Sequence, residues 1–93
     1  MKSPRELSVT NVEDVALRAT VGSLVRANRL DKKWTLGQMS QRSGLSVRFL
    51  SLLESGQGNI SVVSLLYVAQ ALEIPVSALL TAEEHDRAES TQV

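Results

Sequence analysis

The feature that most constrains this chain is a glycine turn between two helical signals, "TLGQMSQRSGLSVRFLSLLESG", at residues 35–56. Thr35 and Gln38 have the spacing of a capping box, and Gly44 suits the left-handed residue that commonly ends a helix. Ser46 can cap a second helix, which would end before Gly56. Two short helices joined through one glycine predict a helix-turn-helix over about residues 35–55.

Apolar residues recur at helical spacing on both sides of this unit. The pattern predicts one helix that ends near Leu30 and another that Ser61 caps. Pro75 must end the latter helix, because proline has no amide donor and clashes with the preceding turn. A short fifth helix is then expected near residues 77–80. No segment shows the alternating pattern of a strand, so we expect an all-α, compact five-helix domain.

Three regions are expected from the composition along the chain. Residues 1–12 show no lasting periodicity and are interpreted as a flexible arm, residues 13–80 as the helix-turn-helix domain, and residues 81–93 as a polar acidic tail or linker. Residues 15–80 carry seven basic and three acidic side chains, whereas the flanks carry three basic and seven acidic ones. The net charge of zero therefore conceals a mildly basic body between acidic ends.

Composition argues against several classes of function. The chain has no cysteine, which argues against disulfides and an ordinary zinc site and suits a reducing cytoplasm. No apolar run approaches the roughly 18 residues that a membrane span needs, and the N-terminus lacks a secretory signal. Neither a placed histidine nor a convergent carboxylate pair indicates an enzyme. We expect a cytoplasmic protein without a cofactor, a metal or a membrane partner.

Residues 21–80 closely resemble the phage-repressor type of helix-turn-helix domain, the Cro/XRE family. The match covers about two thirds of the chain without a gap. The residues that carry it are Arg29, Thr35, Gly44, the Glu-x-Gly at residues 54–56, the Asn-x-Ser at residues 59–61 and the Ala-Leu-x-Ile-Pro at residues 71–75. The run "LESGQGNIS" at residues 53–61 is also similar to regulators of aromatic-compound catabolism, in which such a domain precedes a shikimate-kinase-like effector domain.

This resemblance implies a sequence-specific transcriptional repressor that binds double-stranded DNA. It places residues 46–55 in the major groove of an inverted-repeat operator, where Val47, Arg48 and Leu52 contact bases. Arg48 can bind guanine through two hydrogen bonds, and Val47 can pack on a thymine methyl group. The alternatives are a solvated surface charge for Arg48 and packing against a neighbouring side chain for Leu52.

Contacts to the DNA backbone are expected from the start and end of the second helix, the cap of the third helix and the loop that follows it. These residues are Thr35, Gln38, Gln41, Arg42, Ser46, Gln57, Gly58 and Asn59. For Gln57 and Asn59, ordinary turn chemistry is the competing interpretation. The resemblance makes Arg29 and Glu54 a structural ion pair rather than DNA ligands, and Trp34 is interpreted as core or rim packing.

Departures from the family pattern are informative. Lys33 stands where the family often has glycine, so we expect a non-glycine residue with positive φ. Leu52 replaces a residue that is usually polar or basic, and residues 57–59 form an uncharged loop where the family is often basic. These changes weaken contacts to bases and phosphates, so tight binding by one monomer is not expected.

The fourth helix has more apolar surface than its own core requires. Val63, Leu66, Tyr67 and Leu80 are predicted to form a two-fold dimer contact, with scattered surface hydrophobes as the alternative. A different class of function also fits the sequence: a protein-interaction module, or an antitoxin-like protein, that uses the same fold with a protein partner. A separate effector domain is a further potential partner.

Overall fold

The computed structural model describes residues 11–12, 15–58 and 60–81. Its α-helices are α1 (Val15–Asp31), α2 (Leu36–Ser43), α3 (Val47–Glu54) and α4 (Val62–Leu72), and a 3-10 helix (Val76–Leu79) follows. Two short strands, β1 (Asn11–Val12) and β2 (Ile60–Ser61), pair antiparallel. Helices α2 and α3 with the turn between them form a helix-turn-helix, so the fold is an all-α domain in which the strand pair is a minor element.

The prediction of a compact five-helix domain without strands is confirmed for its all-α architecture and its first four helices, and two details differ. The expected fifth helix is a 3-10 helix at residues 76–79, where Ala78 donates its amide to Pro75 and Leu80 donates its amide to Ser77, three residues earlier in each case. Asn11 and Val12, expected in a flexible arm, pair with Ser61 and Ile60. Strands of two residues are too short to produce an alternating pattern. The rest of that arm and residues 82–93 of the expected tail lie outside the described residues.

Local hydrogen bonds explain where α2 and α3 begin and where α2 ends. Thr35 Oγ1 accepts from the amide of Gln38 at 3.1 Å, and Gln38 Oε1 accepts from the amide of Thr35 at 2.8 Å, so the predicted capping box is confirmed. Ser46 Oγ accepts from the amide of Phe49 at 3.0 Å. Gly44 adopts φ 81° and donates its amide to Ser40, which ends α2 as the sequence predicts.

One apolar core lies between the helices. Helix α1 packs against α3 and the 3-10 helix, whereas α2 packs against α3 and α4. The buried apolar residues are Val21, Leu24, Val25, Met39, Leu50, Leu53, Ile60, Leu65, Val68, Ala69, Leu72 and Leu79. Val15 and Leu30 continue the periodic pattern of α1 but are exposed, because they lie at the two ends of the helix. No helix in the described part of the chain is long and apolar enough to cross a membrane.

Close backbone contact joins α1 to α3. A Cβ atom added to Gly22 would lie 2.4 Å from the carbonyl oxygen of Leu53 and 2.8 Å from that of Glu54. Only glycine allows this approach, which fixes the distance of α1 from the end of α3. In the turn after α1, Lys33 has φ 61°, the positive value that the family resemblance implies for a position where glycine is common.

Candidate nucleic-acid interface

Helix α3 divides its residues between the core and solvent. Leu50 and Leu53 are fully buried, whereas Val47, Arg48 and Ser51 are exposed. Because residues three and four positions apart share a helix face, Ser51 lies beside both Val47 and Arg48. We call these three residues the α3 outer face. Much of the apolar character of this helix is therefore explained by the core, and a partly polar face remains available to a ligand.

The remaining apolar residues of α3 are half-buried. Phe49 packs against the core cluster. Leu52 lies next to the loop after the helix, since a Cβ atom added to Gly58 would be 3.9 Å from the Cβ atom of Leu52. The carbonyl of Leu52 also accepts the amide of Gln57 at 2.9 Å. Leu52 thus contacts this loop while part of its side chain stays open to solvent.

An ion pair joins α1 to the end of α3. Arg29 Nε and Nη2 donate to the two carboxylate oxygens of Glu54 at 2.7 and 3.0 Å, and Nη1 donates to the carbonyl of Trp34 at 2.6 Å. The hydrogen bond to Glu54 raises the pKa of Arg29, which burial opposes and the charge of Glu54 reinforces. Because its pKa is raised above the ordinary arginine value, Arg29 keeps its charge, and its own contribution to this stabilisation, until pH rises through the raised value.

The residues expected to contact the DNA backbone lie on exposed parts of α2, α3 and the following loop. Thr35, Gln38, Gln41, Arg42, Ser46, Gln57 and Gly58 are all exposed. Thr35, Gln38 and Ser46 also cap their helices, so these side chains are held at the two helix starts. Asn59 lies outside the described residues.

Trp34 has a neighbourhood that the sequence did not reveal. The indole ring of Trp34 is partly buried and packs against the core, as expected. Two cationic side chains lie over this ring. Lys32 Nζ is 5.4 Å and the guanidinium carbon of Arg42 is 4.5 Å from the ring centroid. Both distances suit cation–π attraction. Arg42, a predicted backbone contact, is therefore positioned by an aromatic side chain.

A small groove borders the α3 outer face. It has a volume of about 250 Å³ and is lined by Arg26, Leu36, Ser51, Glu54 and Ser55. We call it the α3 groove. The sequence predictions missed Arg26 and Ser51, although a signal existed for each. Arg26 precedes Arg29 by one helical turn, and Ser51 follows Val47 by one turn.

The outer side of α4 carries a larger, mainly apolar groove. Its volume is about 480 Å³, and its lining residues are Val63, Leu66, Tyr67, Ala69, Gln70, Ile74 and Val76. We call it the α4 groove. Val63, Leu66 and Tyr67 expose 56%, 49% and 49% of their surface, so the structure brings together three of the four residues expected at a dimer contact. The fourth, Leu80, is half-buried against the core and does not line the groove.

Metal-ligand geometry is absent from this part of the molecule. Among the residues that the structure describes, no three histidine, cysteine, aspartate or glutamate side chains are grouped so that they could hold a metal ion. The polar groups of the α3 outer face and the α3 groove are instead the hydroxyls of Ser51 and Ser55, the guanidinium groups of Arg48 and Arg26, and the carboxylate of Glu54, which Arg29 already binds. Such groups suit hydrogen bonding to a polar or anionic ligand.

Comparison with known sequences gives consistent results. A family model described as Helix-turn-helix, HTH_3, matches residues 25–79. The HTH-type transcriptional regulator y4dJ of Sinorhizobium fredii is 38% identical over 65 residues, which are 70% of this chain and 84% of that protein. The immunity repressor protein of Bacillus phage phi105 is 38% identical over 64 residues, which are 69% of this chain and 44% of the repressor.

Solved structures show the same architecture. The restriction-modification controller protein C.AhdI from Aeromonas hydrophila has a TM-score of 0.67 and 31% identity, over 70% of this chain and 98% of that one. The master regulator for biofilm formation SinR, solved in complex with DNA, has a TM-score of 0.60 and 28% identity. The latter likeness covers 63% of this chain and 98% of that one.

Proposed function

The chain belongs to the HTH_3 helix-turn-helix family, and from this premise we propose that it is a repressor that binds an inverted-repeat operator as a dimer. Its relatives include a phage immunity repressor and transcriptional regulators, and SinR has been solved on DNA. The chain is accordingly a DNA-binding transcriptional regulator and not an enzyme. The operator, the dimer and the contacting residues are the parts that we propose.

The observation that carries this proposal is the α3 outer face. Val47, with 45% of its surface exposed, and Arg48 lie at the start of a capped helix whose opposite side is buried in the core. The ion pair of Arg29 with Glu54 holds the other end of α3 to α1. A helix fixed at both ends can enter the major groove without losing much conformational freedom.

We assign distinct roles to the residues of this face. Arg48 binds a guanine through two hydrogen bonds, and Val47 packs on a thymine methyl group. Leu52, half-buried beside the loop, contributes a smaller apolar contact at the edge of the face. These contacts select sequence, because the donors, acceptors and methyl groups of the major groove differ among base pairs.

Backbone contacts set the register of the helix on DNA but do not read sequence. We assign them to the start of α2 with Thr35 and Gln38, to Gln41 and Arg42 near its end, and to the cap Ser46. Gln57, Gly58 and Asn59 are assigned to the opposite strand. The side-chain oxygen of Gln38 is used in the capping box, which leaves its NH₂ group to donate to a phosphate.

Dimerisation compensates for the few contacts of one domain. We assign the two-fold contact to the α4 groove, where Val63, Leu66 and Tyr67 are large, exposed and mainly apolar side chains that line the same groove. Leu80 supports the adjacent core and lies at the margin of this contact. Two copies of α3 would then lie about 34 Å apart and reach half-sites one DNA turn apart.

Selection of bound duplexes from a random DNA library tests this function. We expect an enriched inverted repeat whose binding survives near-physiological salt. A library without enrichment, or weak binding that vanishes with salt, would instead support the protein-interaction module. Sequencing the enriched duplexes also identifies the operator. The narrower likeness over residues 53–61 suggests regulation through a shikimate-kinase-like effector domain. Titrating aromatic metabolites into operator complexes formed with and without such a domain would test it.

A further inference from the structure

Arg26 is a positively charged residue of α1 that lies next to α3. Gly22, one turn before it, contacts the backbone of α3, and Arg29, one turn after it, binds Glu54. Arg26 therefore lies on the side of α1 that faces the end of α3. Unlike its two neighbours on this side, Arg26 is exposed, and it lines the α3 groove together with Ser51 and Ser55.

The charge of the α3 groove depends on Arg26. Glu54 also lines the groove, but both of its carboxylate oxygens accept hydrogen bonds from Arg29. The side chains of this pair are only 10% and 8% exposed, so their charges largely compensate each other within the protein. No carboxylate of the described residues forms an ion pair with Arg26. The exposed part of the groove is thus positive.

The groove also opens beside the surface that we assign to DNA. Ser51 belongs to both the α3 outer face and the α3 groove, so Arg26 lies on the flank of the helix that enters the major groove. The edge of a major groove is formed by phosphates, and arginine binds a phosphate through parallel hydrogen bonds. Arg26 therefore has the position and the free charge that such a contact requires.

We propose that Arg26 binds a DNA phosphate at the edge of the major groove and thereby positions α3. This inference rests on the proposed function and adds a contact from α1 to it. Arg26 compensates for the uncharged loop at residues 57–59, which offers only neutral donors to the backbone. The hydroxyl of Ser51 can donate a hydrogen bond to the same phosphate or to the base pair next to it.

The test compares Arg26→Gln with Lys32→Gln on the selected operator duplex at several salt concentrations. Both variants remove one exposed positive charge, but Lys32 lies over Trp34 and does not line the α3 groove. We expect Arg26→Gln to weaken binding about tenfold, equally for operator and unrelated DNA. The slope of log affinity against log salt should fall by about 0.9 for each bound chain. Lys32→Gln should change neither value appreciably.

Three other outcomes are decisive. Equal losses in both variants would mean that Arg26 acts only through the general charge of the domain, and would overturn the proposal. Unchanged affinity and salt slope in Arg26→Gln would also overturn it, while the proposed function would stand. If the wild-type chain shows no preference for any duplex, the proposed function fails and the contact fails with it. Thermal unfolding of both variants establishes that they remain folded.

Discussion

Arg29 and Glu54 form a two-point ion pair, at 2.7 and 3.0 Å, that joins the end of α1 to the end of α3 across 25 positions of sequence. Arg29 also donates a third hydrogen bond to the carbonyl of Trp34, which lies just before α2. One guanidinium on α1 therefore contacts both the end of α3 and the loop that precedes α2. This arrangement determines where the α3 outer face lies relative to the rest of the domain.

Neutralising one partner of this pair should destabilise the fold. We expect Glu54→Gln to lower the free energy of unfolding by about 3 kcal/mol, because the largely buried Arg29 charge loses its compensation. Urea unfolding measures this loss. Glu73→Gln is the matched control, since Glu73 is exposed and should change the value by less than about 0.5 kcal/mol. Similar effects of the two variants would show that the ion pair contributes little.

Two glycines should respond to alanine in opposite directions. We expect Gly22→Ala to destabilise the domain by about 2–3 kcal/mol, because the added methyl group would overlap two carbonyl oxygens of α3. In Gly37→Ala the nearest atom is Thr35 Oγ1 at 3.7 Å, so better helix propensity should stabilise the domain by about 0.5–1 kcal/mol. Thermal melts of the two variants test the close contact of α1 with α3. Equal shifts would contradict it.

Arg48 should determine base preference without affecting the fold. Arg48 is exposed, so Arg48→Ala should leave the melting temperature nearly unchanged. We expect it to lose about 1–3 kcal/mol of discrimination at one base pair in each half-site. Arg48→Lys keeps the charge but loses the two-point contact, and thus separates base reading from general attraction. Unchanged preference in both variants would exclude Arg48 from the reading surface.

Trp34 should report DNA binding by its fluorescence. It is the single tryptophan of the chain, and Arg42 lies over its ring. If Arg42 contacts a phosphate, its position over the ring changes, and the emission of Trp34 should change when operator DNA is added. We expect Arg42→Gln to abolish most of this change. The same response in both proteins would show that Arg42 is not the group that moves.

Dimerisation can be tested with two equally exposed leucines. Leu66 lines the α4 groove, whereas Leu30 lies at the end of α1, and each exposes 49% of its surface. We expect Leu66→Glu to convert dimers to monomers, because a charge would be buried against the partner's apolar surface. Leu30→Glu should leave the mass unchanged. Sedimentation velocity distinguishes the two species, and a wild-type monomer or a dimer of Leu66→Glu would exclude this contact.

The sequence determined those features that depend on neighbouring residues. The caps at Thr35, Ser46 and Ser61 and the left-handed Gly44 follow from short-range hydrogen bonds and sterics, and the structure contains each of them. The positive φ of Lys33, which the family resemblance implies, is present as well. Helical periodicity likewise separated Leu50 and Leu53 from the outer face of α3. The contact of Arg29 with Glu54 was implied by the resemblance to the Cro/XRE family.

Only the tertiary structure decided which distant residues share a surface. The pairing of β1 with β2, the two cations over Trp34 and the position of Arg26 beside Ser51 depend on how the elements pack, and their local sequences carry no such information. Leu80 illustrates the same limit, since its packing against the core depends on the path of the chain after Pro75. Local propensity determines which segments form helices, whereas burial of their apolar faces determines which elements pack against one another.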